Sequence, residues 1–167
     1  MSLCNRRTML LGSAALVGGA LAGCGFAPAY GPNGKASKLQ GSILADTPNE
    51  RLGYLFVRRF EERLGRGAPA RYGLSYSIET NERALAINAN NVITRINILG
   101  QLTYALRDME SERVLSSGKV DSFTSYSATG TTVATQSAQR AAEDRLMTIL
   151  TDQLVTKLTA DAARFGS

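Results

Sequence analysis

Histidine and tryptophan are both absent from this chain of 167 residues. Histidine is the usual general base near neutral pH and a common metal ligand, so its absence excludes Ser-His and Cys-His nucleophiles and histidine-ligated metals. Cysteine is scarce as well: Cys4 and Cys24 are the only two, and both lie near the N-terminus. The rest of the chain has no thiol for a disulfide, a metal or a nucleophile. We therefore expect no catalytic residue, no metal and no cofactor.

The N-terminal segment has the pattern of an export signal. Residues 1–23 carry Arg6 and Arg7 but no acidic residue, and an apolar run with small residues follows the two arginines. This order is typical of a secretory signal peptide. The run is shorter than the roughly 20 residues that a membrane-spanning helix needs. We predict a signal peptide over residues 1–23, cleaved between Gly23 and Cys24.

The four residues Leu21-Ala22-Gly23-Cys24 resemble the lipobox of bacterial lipoproteins, in which the cysteine becomes the first residue of the mature protein. The thiol of Cys24 then takes a diacylglycerol, and its freed amino group takes a further acyl chain such as palmitate. About two acyl chains are enough for stable membrane anchoring, so Cys24 would hold the protein on a membrane. The alternative is an ordinary signal peptide with a cysteine by chance after the cut.

The export route stays open. Arg6, Arg7 and the apolar pair after Thr8 resemble a twin-arginine export motif. Two arginines are also common in the basic start of a general secretory signal, which is the simpler interpretation. The predicted cleavage of the signal peptide removes both arginines and lowers the net charge from +5 to +3. A weakly basic, exported protein is not expected to bind nucleic acid.

The mature chain divides into a tether, residues 24–37, and one domain, residues 38–167. The tether is rich in glycine and proline. In the domain a first strand is expected at Lys38–Leu44. Thr47-Pro48-Asn49-Glu50 then has the spacing of a helix start with a capping box. The helix that follows has one apolar face, on Leu52, Leu55, Phe56, Phe60 and Leu64, and its charged residues are expected to face solvent.

Three strands and a second helix are expected next. Alternation predicts half-buried strands at Arg71–Glu79 and Arg95–Leu106, joined by a turn at Asn88–Asn91. A turn at Asp108–Ser111 leads into a third strand, about Arg113–Tyr126. It carries the apolar residues Val114, Leu115, Val120, Phe123 and Tyr126. A bulge or bend is expected between Val120 and Phe123, near Gly118, because the alternation fails there. A long helix over Val133–Arg164 is expected to face inward with Ala134, Ala138, Ala142, Leu146, Ile149, Leu154, Leu158 and Ala162.

These elements predict an α+β fold in the order strand-helix-strand-strand-strand-helix. A four-stranded, mainly antiparallel sheet with both helices on one face buries every apolar stripe. The other face of the sheet is then polar, with Leu99 as an apolar spot. It carries Ser75, Ser77, Arg95, Asn97, Gln101 and Thr103.

The mature N-terminus resembles that of a known family. Cys24-Gly25-Phe26-Ala27-Pro28-Ala29-Tyr30-Gly31 is similar to the Cys-Gly-Phe-x-Pro-Leu-Tyr-Gly start of the LptE family of lipopolysaccharide-assembly lipoproteins, with Ala29 in place of leucine. The order of strands and helices is similar over nearly the whole mature chain. The resemblance implies a lipid-anchored protein at the periplasmic face of the outer membrane. It also implies two partners, the β-barrel translocon LptD and lipopolysaccharide, and a non-enzymatic role as barrel plug and assembly factor.

The residues suggest where such partners would bind. A barrel lumen is polar, which suits the polar sheet face. The phosphates of lipopolysaccharide accept charge-assisted hydrogen bonds from arginine and lysine. Candidate lipopolysaccharide contacts at the strand ends are Arg83, Arg95, Arg113 and Lys119. Each is also explained as a solvated surface charge.

Two other functions compete. An auxiliary lipoprotein of a phospholipid-transport system can have a similar order of elements, although the mature N-terminus disfavours it. A periplasmic hydrolase would need a desolvated pair of carboxylates. The acidic groups of this chain, at Glu61-Glu62, Asp108 with Glu110 and Glu112, and Glu143-Asp144, are expected on exposed helix faces and a turn, where their pKa values shift little.

Overall fold

The computed structural model describes residues 37, 39–87, 89–162, 164 and 165. The elements are β1 (Ile43–Ala45), α1 (Arg51–Leu64), β2 (Tyr72–Ile87), β3 (Ile93–Asp108), β4 (Val114–Ser127) and α2 (Thr132–Asp161). The predicted order of strands and helices is confirmed. The predictions for Arg6, Arg7, Gly23 and Cys24 lie outside the described residues and stay predictions.

The four strands form one sheet in the order β1-β2-β3-β4. β2, β3 and β4 pair antiparallel, as expected for neighbours joined by short turns. β1 pairs parallel to β2, because α1 carries the chain back along the sheet between these two strands. The sheet is therefore mixed, and mainly antiparallel as predicted.

β1 is shorter than the strand predicted at Lys38–Leu44. The chain turns before it: the N–H of Ser42 donates to the carbonyl of Leu39, and Gly41 has a φ of +63°. A left-handed residue of this kind ends extended pairing, and only glycine adopts it without strain. The strand begins at Ile43 for that reason.

Both helices cover one face of the sheet, and the core lies between them and the inward residues of the strands. From the strands it contains Leu74, Ile98, Leu102, Tyr104, Leu106 and Val120, and from α1 it contains Phe56, Phe60 and Leu64. The predicted inward faces of α1, β2 and β3 are confirmed by this burial. Burying one such side chain is worth about 1.5–3 kcal/mol.

The apolar residues of β4 do not share one face of the sheet. Phe123 is 65% exposed and Val114 is also exposed, whereas Thr124 is buried and donates its hydroxyl to the carbonyl of Ala142 at 3.0 Å. Pairing with β3 runs without interruption from Ser127 to Ser116, so no bulge occurs between Val120 and Phe123, where one was predicted. The irregularity lies at the turn instead, between Leu106 and Arg107 of β3.

The helix starts differ from each other. α1 begins at Arg51 with Glu50 as its N-cap, and no side chain caps it, so the capping box predicted at Thr47 is wrong. α2 is capped by Thr131, whose hydroxyl accepts the N–H of Ala134 at 3.3 Å. This is the ordinary role of threonine at an N-cap.

α2 buries two rows of side chains because the sheet covers one side of it and α1 another. The predicted inward residues Ala142, Leu146, Leu154 and Leu158 are confirmed, whereas Ala134 and Ile149 are exposed. The row that the sequence did not reveal is Met147, Leu150, Thr151 and Val155. α2 ends at Asp161 rather than Arg164.

Candidate binding surfaces

The charged faces of the two helices meet each other at the surface, where their arginines stay about half exposed. Arg51 of α1 pairs with Glu143 of α2, and Arg63 Nε lies 2.9 Å from Asp152 Oδ1. Between them, Asp144 receives two arginines: Arg58 Nη2 at 3.2 Å and Arg59 Nη2 at 3.1 Å. We call these residues the interhelix ladder. Its charges, predicted to be solvated, connect α1 to α2.

Hydrogen bonds to Glu62 and Asp144 raise the pKa of Arg59. Glu62 also belongs to α1 and lies 3.0 Å from Arg59 Nη1. A guanidinium held by two carboxylates keeps both in a fixed geometry. The ladder therefore holds in ion pairs the carboxylates that a hydrolase would need unpaired for catalysis.

The remaining acidic groups have structural partners too. Glu61 pairs with Arg66 at 3.5 Å. Asp108 accepts the backbone N–H groups of Ser111 and Glu110, each at 3.0 Å, and these hydrogen bonds lower the pKa of its carboxyl group. The carboxylates singled out in the sequence are thus distributed between the helix pair and one tight turn.

Two cations of α2 cover the outer edge of β4. Lys157 Nζ donates to the carbonyl of Lys119 at 2.8 Å, and Arg145 Nη2 donates to the carbonyl of Ser125 at 3.3 Å. Backbone groups on a sheet edge are otherwise free to pair with another strand. These two contacts cover part of the β4 edge.

The sheet face away from the helices is polar, as predicted. Neighbouring strands bring Glu79, Gln101 and Asp121 side by side, and Lys119 Nζ donates to Gln101 Oε1 at 3.3 Å. Leu99 and the exposed ring of Phe123 lie next to this row. A shallow depression of about 450 Å³ follows the row. We call this surface the open face.

The predicted lipopolysaccharide contacts fall in three places. Arg83 pairs with Asn97 across the strands, and Arg95 lies two residues from Asn97 along β3, so these two arginines are neighbours. Lys119 lies opposite Thr103, eight residues and about 26 Å along β3 from Arg95.

Arg113 lies beside the turn at the opposite end of the sheet, about 40 Å from Arg95. All four cations are exposed. The structure brings together only Arg83 and Arg95.

These two arginines belong to the end of the β2–β3 hairpin, which projects past the helices. Every residue from Glu79 to Ile87 is exposed. The hairpin end also exposes aliphatic side chains, which the sequence analysis did not identify as a group: Leu85, Ile87, Val92 and Ile93. No acidic residue occurs between Arg83 and Arg107. We call residues 83–95 the arm.

The arm combines the two kinds of group that an anionic amphiphile would contact. Its guanidinium groups can donate charge-assisted hydrogen bonds to phosphate, and its aliphatic side chains offer apolar area to acyl chains. Within the described part of the chain, Arg83, Arg95 and Arg113 have neither an ion pair nor a side-chain hydrogen bond.

Among the described helices, none is long and apolar enough to cross a membrane.

The model of the lipopolysaccharide-assembly family LptE matches residues 39–158, well over half of the chain. The chain belongs to the LptE family. The matched range begins just ahead of β1 and ends within α2, so it includes both the open face and the arm. LptE proteins are non-enzymatic lipoproteins of lipopolysaccharide assembly, and this chain is an LptE-like lipoprotein.

Solved structures share the fold of this LptE-family chain. A putative lipoprotein from Caulobacter crescentus is 23% identical, with a TM-score of 0.66 over 80% of this chain and 98% of the other. The rare lipoprotein B from Shewanella oneidensis is 10% identical, with a TM-score of 0.57 over 75% and 98%.

A minor lipoprotein from Acinetobacter baumannii is 13% identical, with a TM-score of 0.54 over 72% and 94%. At these identities the likeness concerns the fold alone. No curated protein matches the sequence.

Proposed function

We propose that this protein is an outer-membrane lipoprotein that acts with the β-barrel LptD to assemble lipopolysaccharide at the outer leaflet. It would be a non-enzymatic plug and assembly factor, anchored at the periplasmic face through acyl chains on Cys24. The observation that carries the proposal is the family match over residues 39–158. The residues Leu21–Cys24, which resemble a lipobox, lie ahead of the matched range.

The shape of the domain supports a place inside a barrel. The chain enters the sheet beside Tyr72, where β1 begins, and the arm lies at the far end of β2. The 16 residues of β2 span about 50 Å, slightly more than the roughly 40–45 Å of a bilayer with its headgroups. A tether at one end and the arm at the other would therefore let the domain extend through the thickness of the membrane.

The open face supports contact with a barrel wall. Glu79, Asn81 and Asp121 expose side-chain oxygen atoms there, and Lys119 adds a cation. The lumen of an outer-membrane barrel is polar, so such a surface exchanges hydrogen bonds with water for hydrogen bonds with the wall at little cost.

The first experiment tests anchoring and partnership together. The full chain is expressed in its native host, labelled with palmitate and purified under mild detergent. We expect label on the wild type and on Cys4→Ser, no label on Cys24→Ser, and LptD in the complex. Label that persists on Cys24→Ser contradicts the anchor, and a complex that contains phospholipid-transport proteins instead of a barrel contradicts the proposed partner.

The second experiment tests lipopolysaccharide contact by the arm. Arg83→Glu with Arg95→Glu should weaken lipopolysaccharide binding at low salt by at least about tenfold, because two charge-assisted hydrogen bonds are lost. Arg66→Glu makes half of this charge change at the opposite end of the sheet, and little effect is expected. Parallel reversals of Lys119 and of Arg113 test the two other contacts separately. Unchanged affinity in any of these variants removes its residues from the site.

A further inference from the structure

The outer edge of β2 is bare over most of its length. β1 covers it only from Tyr72 to Leu74, and within the described part of the chain no strand lies beside residues 75–87. Pairing with β3 on the other side is regular as far as Ala84, and the stretch contains no proline. Natural sheets usually protect such an edge. This edge is open to pairing with a further strand.

The hydrogen bonds to β1 show which backbone groups face the edge. The N–H of Tyr72 donates to the carbonyl of Ser42, and the carbonyl of Leu74 accepts the N–H of Asp46 at 2.9 Å. Since successive residues of a strand alternate in direction, the even-numbered residues of β2 direct their N–H and C=O groups outward. Between β1 and the arm these residues are Tyr76, Ile78, Thr80 and Glu82.

We propose that an extended segment of the barrel partner adds to this edge as a fifth strand, an inference that rests on the proposed function. The outward backbone groups of residues 76–82 would supply the hydrogen bonds, as in other cases of strand addition. The wall strands of a closed barrel are already paired with each other, so the segment would be a loop or plug element inside the lumen. The pairing stops short of Arg83, which stays available for lipopolysaccharide.

The position of the edge favours an occupant from the barrel. The depression on the open face is lined on its β2 side by Glu79, Thr80 and Asn81, which belong to the same stretch. The proposed function puts the open face against the barrel wall. A lumenal segment of the barrel protein at the edge would therefore extend that contact surface and requires no second partner.

The charge of the edge indicates one feature of the segment. From residue 75 to residue 82, β2 carries two acids, Glu79 and Glu82, and no base. Glu82 is already engaged on the helix side, where it accepts hydrogen bonds from Tyr126 at 3.3 Å and Gln139 at 2.9 Å. Glu79 is exposed and has no ion pair within the described part of the chain. Opposite charges directly across two strands stabilise a sheet, so we expect a lysine or arginine opposite Glu79.

The helix side of the same edge is apolar. Tyr76 and Ile78 pack against the core but are only partly buried, and the ring of Tyr76 lies 4.6 Å from that of Phe56. The side chain directly opposite Ile78 on an added strand would lie about 5 Å away and would cover part of this surface. The segment is therefore expected to alternate basic and apolar residues.

Hydrogen exchange at single backbone amides tests the pairing. The full chain is measured free in mild detergent and in its complex with the barrel. Exchange at the outward amides of Ile78, Thr80 and Glu82 should slow at least about tenfold in the complex, because these groups become hydrogen-bonded. The amides of Glu79 and Asn81 face β3 in both states and should change little.

The outward amides of β4 are the matched control. The carbonyls of Lys119 and Ser125 accept hydrogen bonds from α2 at the outer edge, so the odd-numbered residues of β4 face outward. Asp121 and Phe123 lie between them. Both edges would be enclosed by the same lumen, so unchanged exchange at Asp121 and Phe123 separates strand addition from enclosure.

Three results of this experiment overturn the pairing alone: exchange at the β2 edge that is as fast in the complex as in the free chain, equal slowing at both edges, and slow exchange at the β2 edge already in the free chain. Failure to recover the barrel contradicts the proposed function and overturns this inference with it.

Proline substitution tests whether the backbone makes the contact. Thr80→Pro removes one outward N–H, and proline is tolerated on an edge strand at such a position. In the complex this variant should lose the slow exchange of Ile78 and Glu82, whereas Thr80→Ala, which keeps the N–H, should retain it. Slow exchange of Glu79 and Asn81 in both variants verifies the intact sheet. Slow exchange of Ile78 and Glu82 that survives Thr80→Pro overturns the added strand.

Neutralisation of Glu79 tests the chemistry of the segment. Glu79→Gln should speed exchange at Thr80 in the complex about two- to fivefold, because one cross-strand ion pair is lost, and should leave the free chain unchanged. Asp121→Asn makes the same charge change on the open face away from the edge and should have no such effect. An unchanged rate at Thr80 in Glu79→Gln overturns the basic residue assigned to the partner.

Discussion

Substitution of Gly100 by alanine tests how closely α2 approaches the sheet. Gly100 lies in the middle of β3, paired with Thr80 and Ser122. A Cβ atom at this position would lie 2.8 Å from Leu146 Cδ2 and 3.2 Å from Leu150 Cδ1. Carbon atoms in contact prefer about 3.5–4.0 Å, so the added methyl group requires the Leu146 side chain or α2 itself to shift.

The expected cost follows from the burial of the two leucines. Both are fully buried, and overpacking of a filled core costs about 1–3 kcal/mol. Alanine also restricts the unfolded chain more than glycine does, which returns about 0.4–1 kcal/mol. We therefore expect Gly100→Ala to lower the free energy of unfolding by about 1–2 kcal/mol.

Urea unfolding followed by circular dichroism measures this difference. The midpoint should fall while the slope with denaturant stays the same, as for a change in stability alone. Gly73→Ala is the matched control, because the nearest atom to its Cβ would be Met109 Cγ at 3.7 Å, an ordinary contact. If Gly100→Ala is as stable as Gly73→Ala, the close approach of α2 to β3 is refuted.

Three further predictions concern the ladder, the core and the β3–β4 turn. Asp144→Asn removes the carboxylate shared by two ladder arginines and should cost about 0.5–1 kcal/mol at low salt, measured by urea unfolding. The loss should shrink at high salt, and an undiminished loss there would argue against a charge effect. Thr124→Val removes the hydroxyl that donates to Ala142 and should cost about 1 kcal/mol; no change in the urea midpoint would show that this hydrogen bond contributes nothing. The backbone N–H of Ser111 is the main cause of the lowered pKa of Asp108 in the folded protein. The ionised carboxyl group therefore stabilises the turn above the pKa that Asp108 has in the unfolded chain, and this stabilisation is lost as the pH falls through the pKa of the folded state. Amide exchange at Ser111 should therefore accelerate only in acid, and a carboxyl resonance of Asp108 that titrates at or above its ordinary pKa would contradict the assignment.

Where one face of an element is apolar and the other polar, the sequence predicts the structure well. α1, β2 and β3 are of this kind, and their inward residues are those expected. β4 is not, because its inward positions include Ser116, Gly118 and Thr124, while Phe123 points outward. Small and polar residues suit a strand that lies under α2, but they give no hydrophobic signal.

The helix pair shows a second limit of periodicity. A row of arginines and a row of acids look the same in sequence whether each faces solvent or the other. The ladder from Arg51 to Arg63 forms only because α1 and α2 lie side by side. That packing belongs to the tertiary structure, and the periodicity of either helix does not predict it. The same contact buries Met147 and Val155, which a single apolar stripe does not include.

The candidate site was predicted only in part for a related reason. Arg83 and Arg95 stand out as cations at strand ends, but their proximity depends on the register of β2 against β3. Lys119 and Arg113 satisfy the same sequence criterion and lie far away. The exposed aliphatic residues of the arm resemble core residues by composition, and only the length of the hairpin relative to the helices exposes them.

The modest net charge of the chain conceals an uneven distribution that bears on where an anion binds. Each ladder arginine has an acidic partner within 4 Å, so the helix pair is locally close to neutral. Exposed charges separated by more than about 10 Å are largely screened at moderate salt, and the ladder therefore contributes little at the arm. Arg83 and Arg95 are the cations of the arm, and the nearest acidic residue, Glu82, accepts hydrogen bonds from Tyr126 and Gln139 on the other face of the sheet. We therefore expect an anionic amphiphile to bind at the arm rather than at the helices, although the helices carry more arginines.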